Sequence, residues 1–361
     1  MKLSIHLITY NSEKYLPFCL KSLNEQTFQD FSVLIIDNNS QDGSINFIEQ
    51  YLADPKNKIF ADKAKFIKNS RDFGFAGAHN QAIQWTKSEY IFMMNPDVIL
   101  DSDYIKILID FLEKNSDTAA VAGAIYKWDL TKVNQESLVK TEKIDSLGLK
   151  LFPSHKIIEL TDMPNQNKPQ EIFGVSGALP IYRRSALELV KMPIFHPSFK
   201  FYLNQKAPEL YEYFDNDFFC YKEDVDLAYR LRWAGYDSCL LSSTIAWHDR
   251  GLSADETGGL LKLIKQRRLW SAELRVYSWS NHLAFLIKNE SLMNFVKDFP
   301  FILWFEFKKF IYLLIFEPNI LGRGLGHLFK RFFKLTNKRR LLKLTHRVLA
   351  ADLRAWFRHY G

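Results

Sequence analysis

LSIHLITYN (3–11), FSVLIIDNNS (31–40), KFIKNSRD (65–72) and YIFMMNPD (90–97) are four versions of one pattern. Each is a short apolar run of strand length that passes directly into an Asn- or Asp-bearing turn. Segments of helical period lie between them. Leu16, Cys19, Leu20 and Leu23 recur at helical spacing within 12–26, with Ser12 as the expected N-cap. Ile45, Ile48 and Leu52 do the same behind Ser40 and Asp42, and AGAHNQAIQWT (76–86) reads as a third helix. Strands alternating with helices predict βαβ units: an α/β, Rossmann-like, mostly parallel central sheet with flanking helices. Ligands of such sheets bind beyond the carboxyl ends of the strands. The four polar turns therefore define one candidate rim.

Working outward, DYIKILIDFLEKN (103–115) reads as helix and AAVAGAIY (119–126) as strand. The stretch 127–170 is polar and proline-bearing, which suits hairpins and a mobile loop. A second structured block runs through GVSGALPIYRRSAL (174–187), EDVDLAYRLRWAG (223–235) and DSCLLSSTIAWH (237–248). Beyond Gly251 the chain turns basic, aromatic-rich and helical. These shifts predict a catalytic domain over 1–250, a boundary near 250–258, and a helical C-terminal region over 251–361.

Charge follows the same division. The 361 residues carry a formal +7, yet 260–361 hold 20 Lys/Arg against 6 Asp/Glu, leaving 28 against 35 for the first 259. An acidic body with a basic tail argues against a uniformly nucleic-acid-binding protein. Three scattered cysteines (Cys19, Cys220, Cys239) imply neither a disulfide framework nor a Cys-based zinc site, and suit a reducing compartment. The N-terminus lacks the apolar run and cleavage site of a signal peptide. The apolar segment 299–316 carries Glu306, Lys308 and Lys309 at its middle, where charge is most costly to a spanning helix.

Three places could carry chemistry. Asp97 follows a buried strand and a proline-fixed turn, a position that suits a divalent cation or a ribose, and equally a helix cap. Glu223 and Asp224 open a helix whose dipole favours anions; either suits a general base for a hydroxyl, or simple charge complementarity beside an Asp226–Arg230 pair at an exposed helix end. His248 closes a strand and offers a neutral imidazole to a metal. DFGFAGAHN (72–80) does not match GxGxxG, TYNSEKY has no glycine, and GVSGA (174–178) misses GxSxG. A dinucleotide site, a P-loop and a serine hydrolase are therefore disfavoured.

The ordered series TYN, IIDNNSQDGS, N-x-RDFGFAGAHNQAI, MNPDV, GVSGALPIYRRSAL, EDVDLAYRLRWAG and WH resembles the nucleotide-sugar glycosyltransferases of family 2, over about residues 1–250. The resemblance implies the GT-A fold and an inverting transfer. Asn95-Pro96-Asp97 and DSLGL (145–149) look most like the bacterial rhamnosyltransferases of O-antigen and other surface polysaccharides. Their expected donor is dTDP-rhamnose, with a UDP-hexose or UDP-galactofuranose as alternative. The resemblance places Thr9, Asn11 and Glu13 around the nucleoside, Asp37 on the imide N–H of a pyrimidine, and Arg71 and Asn80 along base and diphosphate. Asp97 matches the last aspartate of the DxD signature and, with His248, would hold Mg²⁺ or Mn²⁺. Asp224 matches the general base, with Glu223 in reserve. Asn95 stands where the family has the first DxD carboxylate, so a modest metal affinity is expected. A nucleotidyltransferase and an inactive donor-binding homologue are the remaining readings.

The tail mixes cations (Lys262, Lys265, Arg267, Arg268; Lys330, Arg331, Lys334; Lys338, Arg339, Arg340) with Trp270, Trp279, Trp304 and many Phe. That composition suits an in-plane helix on anionic lipid. It also suits an acceptor glycan carried on a polyprenyl diphosphate, with the enzyme peripheral on the inner face of a bacterial cytoplasmic membrane. The competing expectation is that the helices pack on the body and turn their charges to water.

Overall fold

The computed structural model describes residues 1–130, 140–162, 168–194, 211–249, 265 and 267–358. The four apolar runs form strands β1 (Leu3–Thr9), β2 (Phe31–Asp37), β3 (Ala64–Lys68) and β4 (Tyr90–Met94). Helices α1 (Leu16–Asn24), α2 (Ser44–Ala53) and α3 (Gly74–Trp85) connect them. β5 (Val98–Leu100), α4 (Tyr104–Lys114), β6 (Thr118–Trp128), β7 (Lys140–Ser146), β8 (Gln170–Ile172) and β9 (Ile181–Arg183) follow. The long strand β10 (Asp237–His248) completes the set.

All ten belong to one sheet. Its path runs β8-β10-β6-β9-β4-β1-β2-β3, with β5 pairing β10 and β7 pairing β6. The β4-β1-β2-β3 half is parallel, as the alternation predicts. The other half mixes directions: β9 runs antiparallel to both β4 and β6, and β6 pairs β10 in parallel. Leu3, Ile5 and Leu7 of β1 and Val33 and Ile35 of β2 alternate into one core with Leu16, Leu20 and Leu23 of α1. Ser12 does not cap α1; its carbonyl accepts from Tyr15 and Leu16, while its N–H donates to Ser44 Oγ. The N-cap of α2 is Gly43, without a side-chain cap; Asp42, one residue earlier, accepts from the Ser44 N–H at 3.0 Å.

Two compact units emerge; one crossing between them, Gly251 to Leu252, falls within 250–258, but the second unit also takes in segments from before it. The first comprises Met1–Lys150, Ile158–Ala186 and Tyr236–Gly251; the second comprises Leu151–Ile157, Leu187–Gly235 and Leu252–Gly361. The helix bearing Glu223 and Asp224, α5 (Glu223–Trp233), thus clusters with the C-terminal helices α6 (Ala272–Asn289), α7 (Leu292–Phe316), α8 (Pro318–Leu342) and α9 (Ala350–Arg358).

The cause is buried charge within the second unit. Lys288 of α6 lies 2.6 Å from both Asp215 and Asp226. Lys338 of α8 lies 2.5 Å from Glu212 and Asp215 and 2.9 Å from Asp217. Isolated charges at this depth would be prohibitive, so each side needs the other. Arg331 and Lys338 are accordingly buried, not offered to a surface as the basic clusters suggested. Trp279 is buried too, in a small core with Val276, Leu313, Ile320 and Leu321, where it fills the space left by Gly324. Lys262 lies outside the described residues.

Candidate active site

Two of the polar turns close on Asp37. In the β1–β2 register Thr9 stands opposite Asp37. The Asp37 carboxylate is fully buried and accepts from Thr9 Oγ1 at 3.0 Å, the Ser40 N–H at 2.8 Å and Ser40 Oγ at 2.5 Å. A carboxylate offers about four lone-pair directions, so most of its capacity holds the turn together. Asn11, with φ of 48°, donates its N–H to Ser40 Oγ at 2.9 Å and accepts from the Gln41 N–H at 2.8 Å. Glu13 accepts from the Gly43 N–H at 3.0 Å; a Cβ on Gly43 would fall 2.2 Å from that carboxylate, so glycine permits the contact. Thr9, Asn11, Glu13 and Asp37 are brought together as one braced rim.

The third turn joins through Asn38. Its amide donates to Asp72 at 2.5 Å and accepts from Asn69 Nδ2 at 3.0 Å. Arg71 is exposed and lies 4.6 Å over the Phe73 ring, while Asn80 is buried on α3.

The fourth turn makes a separate group. β5 pairs antiparallel with β10, setting Val98 opposite His248 and so bringing Asp97 beside the imidazole. Asp97 Oδ1 lies 3.3 Å from His248 Nε2. Its carbonyl accepts from Trp128 Nε1 and from the Asp249 N–H, each at 3.0 Å, which fixes the backbone. On the far side of the ring, Nδ1 lies 3.0 Å from Asp145 Oδ2 at the end of β7. Burial opposes a charge on His248, but the Asp97 charge and the hydrogen bonds from Asp145 and Asp97 outweigh it and lift the imidazole to about 9.

These residues fit a divalent cation. Among the described residues, Asp97 Oδ1 is buried without a well-formed hydrogen bond. An oxygen and an imidazole nitrogen converge, and the ring is held from behind by a carboxylate, the usual support of a metal-binding histidine. Two protein ligands with diphosphate oxygens and water suit Mg²⁺ or Mn²⁺, and binding would release the Nε2 proton. Among the described residues no group of three or more His, Cys, Asp or Glu forms a complete cage. A cavity of about 270 Å³ opens beside His248, lined also by Lys127, Trp128, Asp129, Thr141, Lys143 and Asp249.

In the second unit, α5 starts from a strained turn. Phe219, Tyr221 and Lys222 all have positive φ (59°, 67° and 76°), a conformation that side chains resist. The buried Asn281 of α6 compensates. Its Nδ2 lies 2.8 Å from the carbonyls of Phe218 and Cys220 and 3.0 Å from that of Tyr221. Arg331 of α8 donates to Asn281 Oδ1 at 3.0 Å and to the Asp217 carbonyl at 2.5 Å.

Glu223 and Asp224 therefore start a helix that is fixed from outside. Glu223 is buried, and its Oε2 has no hydrogen-bond partner among the described residues. Burial, then the neighbouring Asp224 charge, pushes its carboxyl up to about 8, so it is neutral at pH 7. Asp224 is half-buried and accepts from the Val225 N–H at 2.7 Å. The Asp226–Arg230 pair forms at 3.0 Å, but it is buried rather than at an exposed helix end. The cover is α6, whose Asn289 donates to Asp226 at 2.7 Å.

The sequence profile described as glycosyl transferase family 2 matches residues 4–190, more than half of the chain. The chain belongs to glycosyl transferase family 2. This family 2 chain is 29% identical over 153 residues to the teichoic acid poly(glycerol phosphate) polymerase of Staphylococcus epidermidis, covering 40% of this chain and 20% of that protein. It is 31% identical over 118 residues to the poly(ribitol-phosphate) beta-glucosyltransferase of Bacillus spizizenii, covering 32% and 18%. The matches thus span no more than a fifth of these curated relatives. The crystal structure of GalNAc-T7 with UDP, GalNAc and Mn²⁺ has a TM-score of 0.53 at 13% identity, over 79% of this chain and 51% of that one. The fold is GT-A with a helical C-terminal region.

Reading the sequence of this family 2 chain missed Asp145, Asn281 and Arg331. DSLGL was visible as a signature, but Asp145 acquires its partner 103 positions away. Nothing local in SNHL or KRFF marks Asn281 and Arg331 as the strap of a turn sixty or more residues earlier.

Proposed function

We propose that this chain is an inverting glycosyltransferase that moves a sugar from a nucleotide diphosphate donor to a hydroxyl of a glycan, or lipid-linked glycan, of a bacterial surface polysaccharide. One observation carries the reading beyond family membership: Asp97 Oδ1 lies 3.3 Å from a His248 ring that Asp145 holds from behind. Asp97 and His248 would hold the cation, which supplies charge stabilisation to the departing diphosphate. Thr9, Asn11, Glu13 and Asp37 shape the nucleoside end, with Arg71 and Asn80 beside base and diphosphate. Asp224 takes the proton of the acceptor hydroxyl as that oxygen attacks the anomeric carbon opposite the nucleotide. Glu223, neutral at pH 7, is a poorer base and keeps its neighbour company as an acid.

The donor we favour is dTDP-rhamnose, on the strength of Asn95-Pro96-Asp97 and DSLGL. A UDP-sugar is the second reading, because the structural relative GalNAc-T7 holds UDP with Mn²⁺. Nucleotide release measured with dTDP-, UDP- and GDP-sugars, with Mn²⁺ and with chelator, tests both. Release from one donor class, stimulated by a glycan acceptor and by the metal, is expected. Release from none, or pyrophosphate in place of nucleoside diphosphate, overturns transfer.

A further inference from the structure

Helix α7 is built inside out. Its inward positions are Asn294, Asp298, Ile302, Glu306, Lys309 and Leu313, and the polar ones among them are engaged. Asn294 donates to the Ala350 carbonyl at 2.9 Å, and Asp298 binds Arg354 through two bonds, at 2.9 and 2.5 Å. Glu306 lies 3.0 Å from His282 and 3.1 Å from Lys309. The opposite positions are apolar and exposed: Leu292, Val296, Phe299, Leu303, Phe307, Phe310 and Leu314 recur every three or four residues, with Trp304 61% exposed beside them. A helix of a soluble body places these two sets the other way round.

α8 adds a second exposed stripe through Leu325, Phe329, Phe332 and Phe333, the last 76% exposed. Patches of this kind mark a binding surface. Charge selects the occupant. Between 292 and 342 the acidic residues are Asp298, Glu306 and Glu317, all turned inward, whereas Lys297, Lys308, Arg323, Lys330 and Arg340 are exposed. Among the described residues no helix is long and apolar enough to cross a membrane.

We infer that α7 lies in the plane of an anionic phospholipid surface, its Phe, Leu and Trp304 face buried at the headgroup level and Lys297 and Lys308 among the phosphates. The basic tail thus divides its labour. Arg331 and Lys338 face inward to brace the segment before α5, while Lys297 and Lys308 of α7 face lipid. Such a surface deepens the proposed function by placing the enzyme where a lipid-linked acceptor resides, yet it stands without any assumption about donor or base.

The test is co-sedimentation of the full chain with vesicles of phosphatidylcholine alone and of phosphatidylcholine with one quarter phosphatidylglycerol, with no sugar donor present. The protein should pellet with the anionic vesicles and not with the neutral ones, and lose binding at high salt. Lys297→Glu/Lys308→Glu should weaken partitioning by about tenfold or more, since each basic residue near such a surface contributes roughly fivefold. Phe299→Glu/Trp304→Glu/Phe307→Glu should abolish it with circular dichroism unchanged. Equal pelleting with both vesicles, or none with either, overturns the inference. So does a dimer in light scattering that the triple variant dissolves while vesicles bind neither form. Donor-dependent nucleotide release in the same preparations reports the enzymatic reading separately.

Discussion

Of the two neighbouring carboxyl groups at the start of α5, Glu223 is sealed and held neutral while Asp224 is half-buried, which is why Asp224 is the base we propose. Asp224→Asn should cut transfer by at least tenfold while donor binding, followed by calorimetry, stays nearly unchanged. Glu223→Gln, which mimics the neutral form, should retain most turnover; the reverse ranking would move the base to Glu223. The same burial has a consequence for stability. Glu223 rises from the ordinary 4.5 to about 8, so the folded state binds its proton more tightly than the unfolded chain. Its stabilising contribution is full below pH 4.5 and is lost as pH rises towards 8. Urea midpoints measured from pH 5 to 9 should fall less steeply for Glu223→Gln than for the unmodified protein. At the other group, Asp145→Asn should weaken Mn²⁺ binding by about 10- to 100-fold, the usual cost of losing the carboxylate behind a ligand histidine. Calorimetry with Mn²⁺ and nucleoside diphosphate checks it, and unchanged affinity would make Asp145 merely structural.

At the scale of elements, the first half was legible because its signals are local. Short apolar runs of strand length and period-3.6 helices alternate from Leu3 to Met94, and the strands appear within a residue or two of where the pattern puts them. The turn before α5 was not legible. Three positive φ values in Phe219, Tyr221 and Lys222 are not what those residue types prefer, and Asn281, itself held by Arg331, offsets the strain from sixty residues away. Asn281→Ala should therefore strip three carbonyls of a donor, costing about 1–3 kcal/mol in chemical unfolding. It should also lower kcat more than it alters donor affinity. An unchanged kcat would show that the strap serves stability alone.

Over the whole molecule, the charge asymmetry pointed to a separate appendage, and the contacts redistribute it. Lys288 and Lys338 are 0% exposed and bind Asp215 and Asp226, which precede residue 250. A chain stopped after His248 would take both lysines from Asp215 and leave Asp226 with Arg230 alone, and breaking a buried pair costs about 3–5 kcal/mol. Such a chain should lose cooperative thermal unfolding and expose apolar surface to dye; a fragment that melts sharply would support an independent domain ending near 250.

The sequence by itself determined the parallel half-sheet, the polar rim at its carboxyl edge and the family, because strand and helix periods and the turn motifs are written in neighbouring residues. Tertiary structure alone decided which carboxyl beside α5 is neutral, which aspartate holds His248, and which cations of the tail face inward. Those outcomes depend on burial and on partners brought together across the chain, such as Thr9 and Asp37 at 28 positions apart and Asp215 and Lys338 at 123. A residue's charge and hydrogen bonds follow its surroundings, and the surroundings exist only after folding.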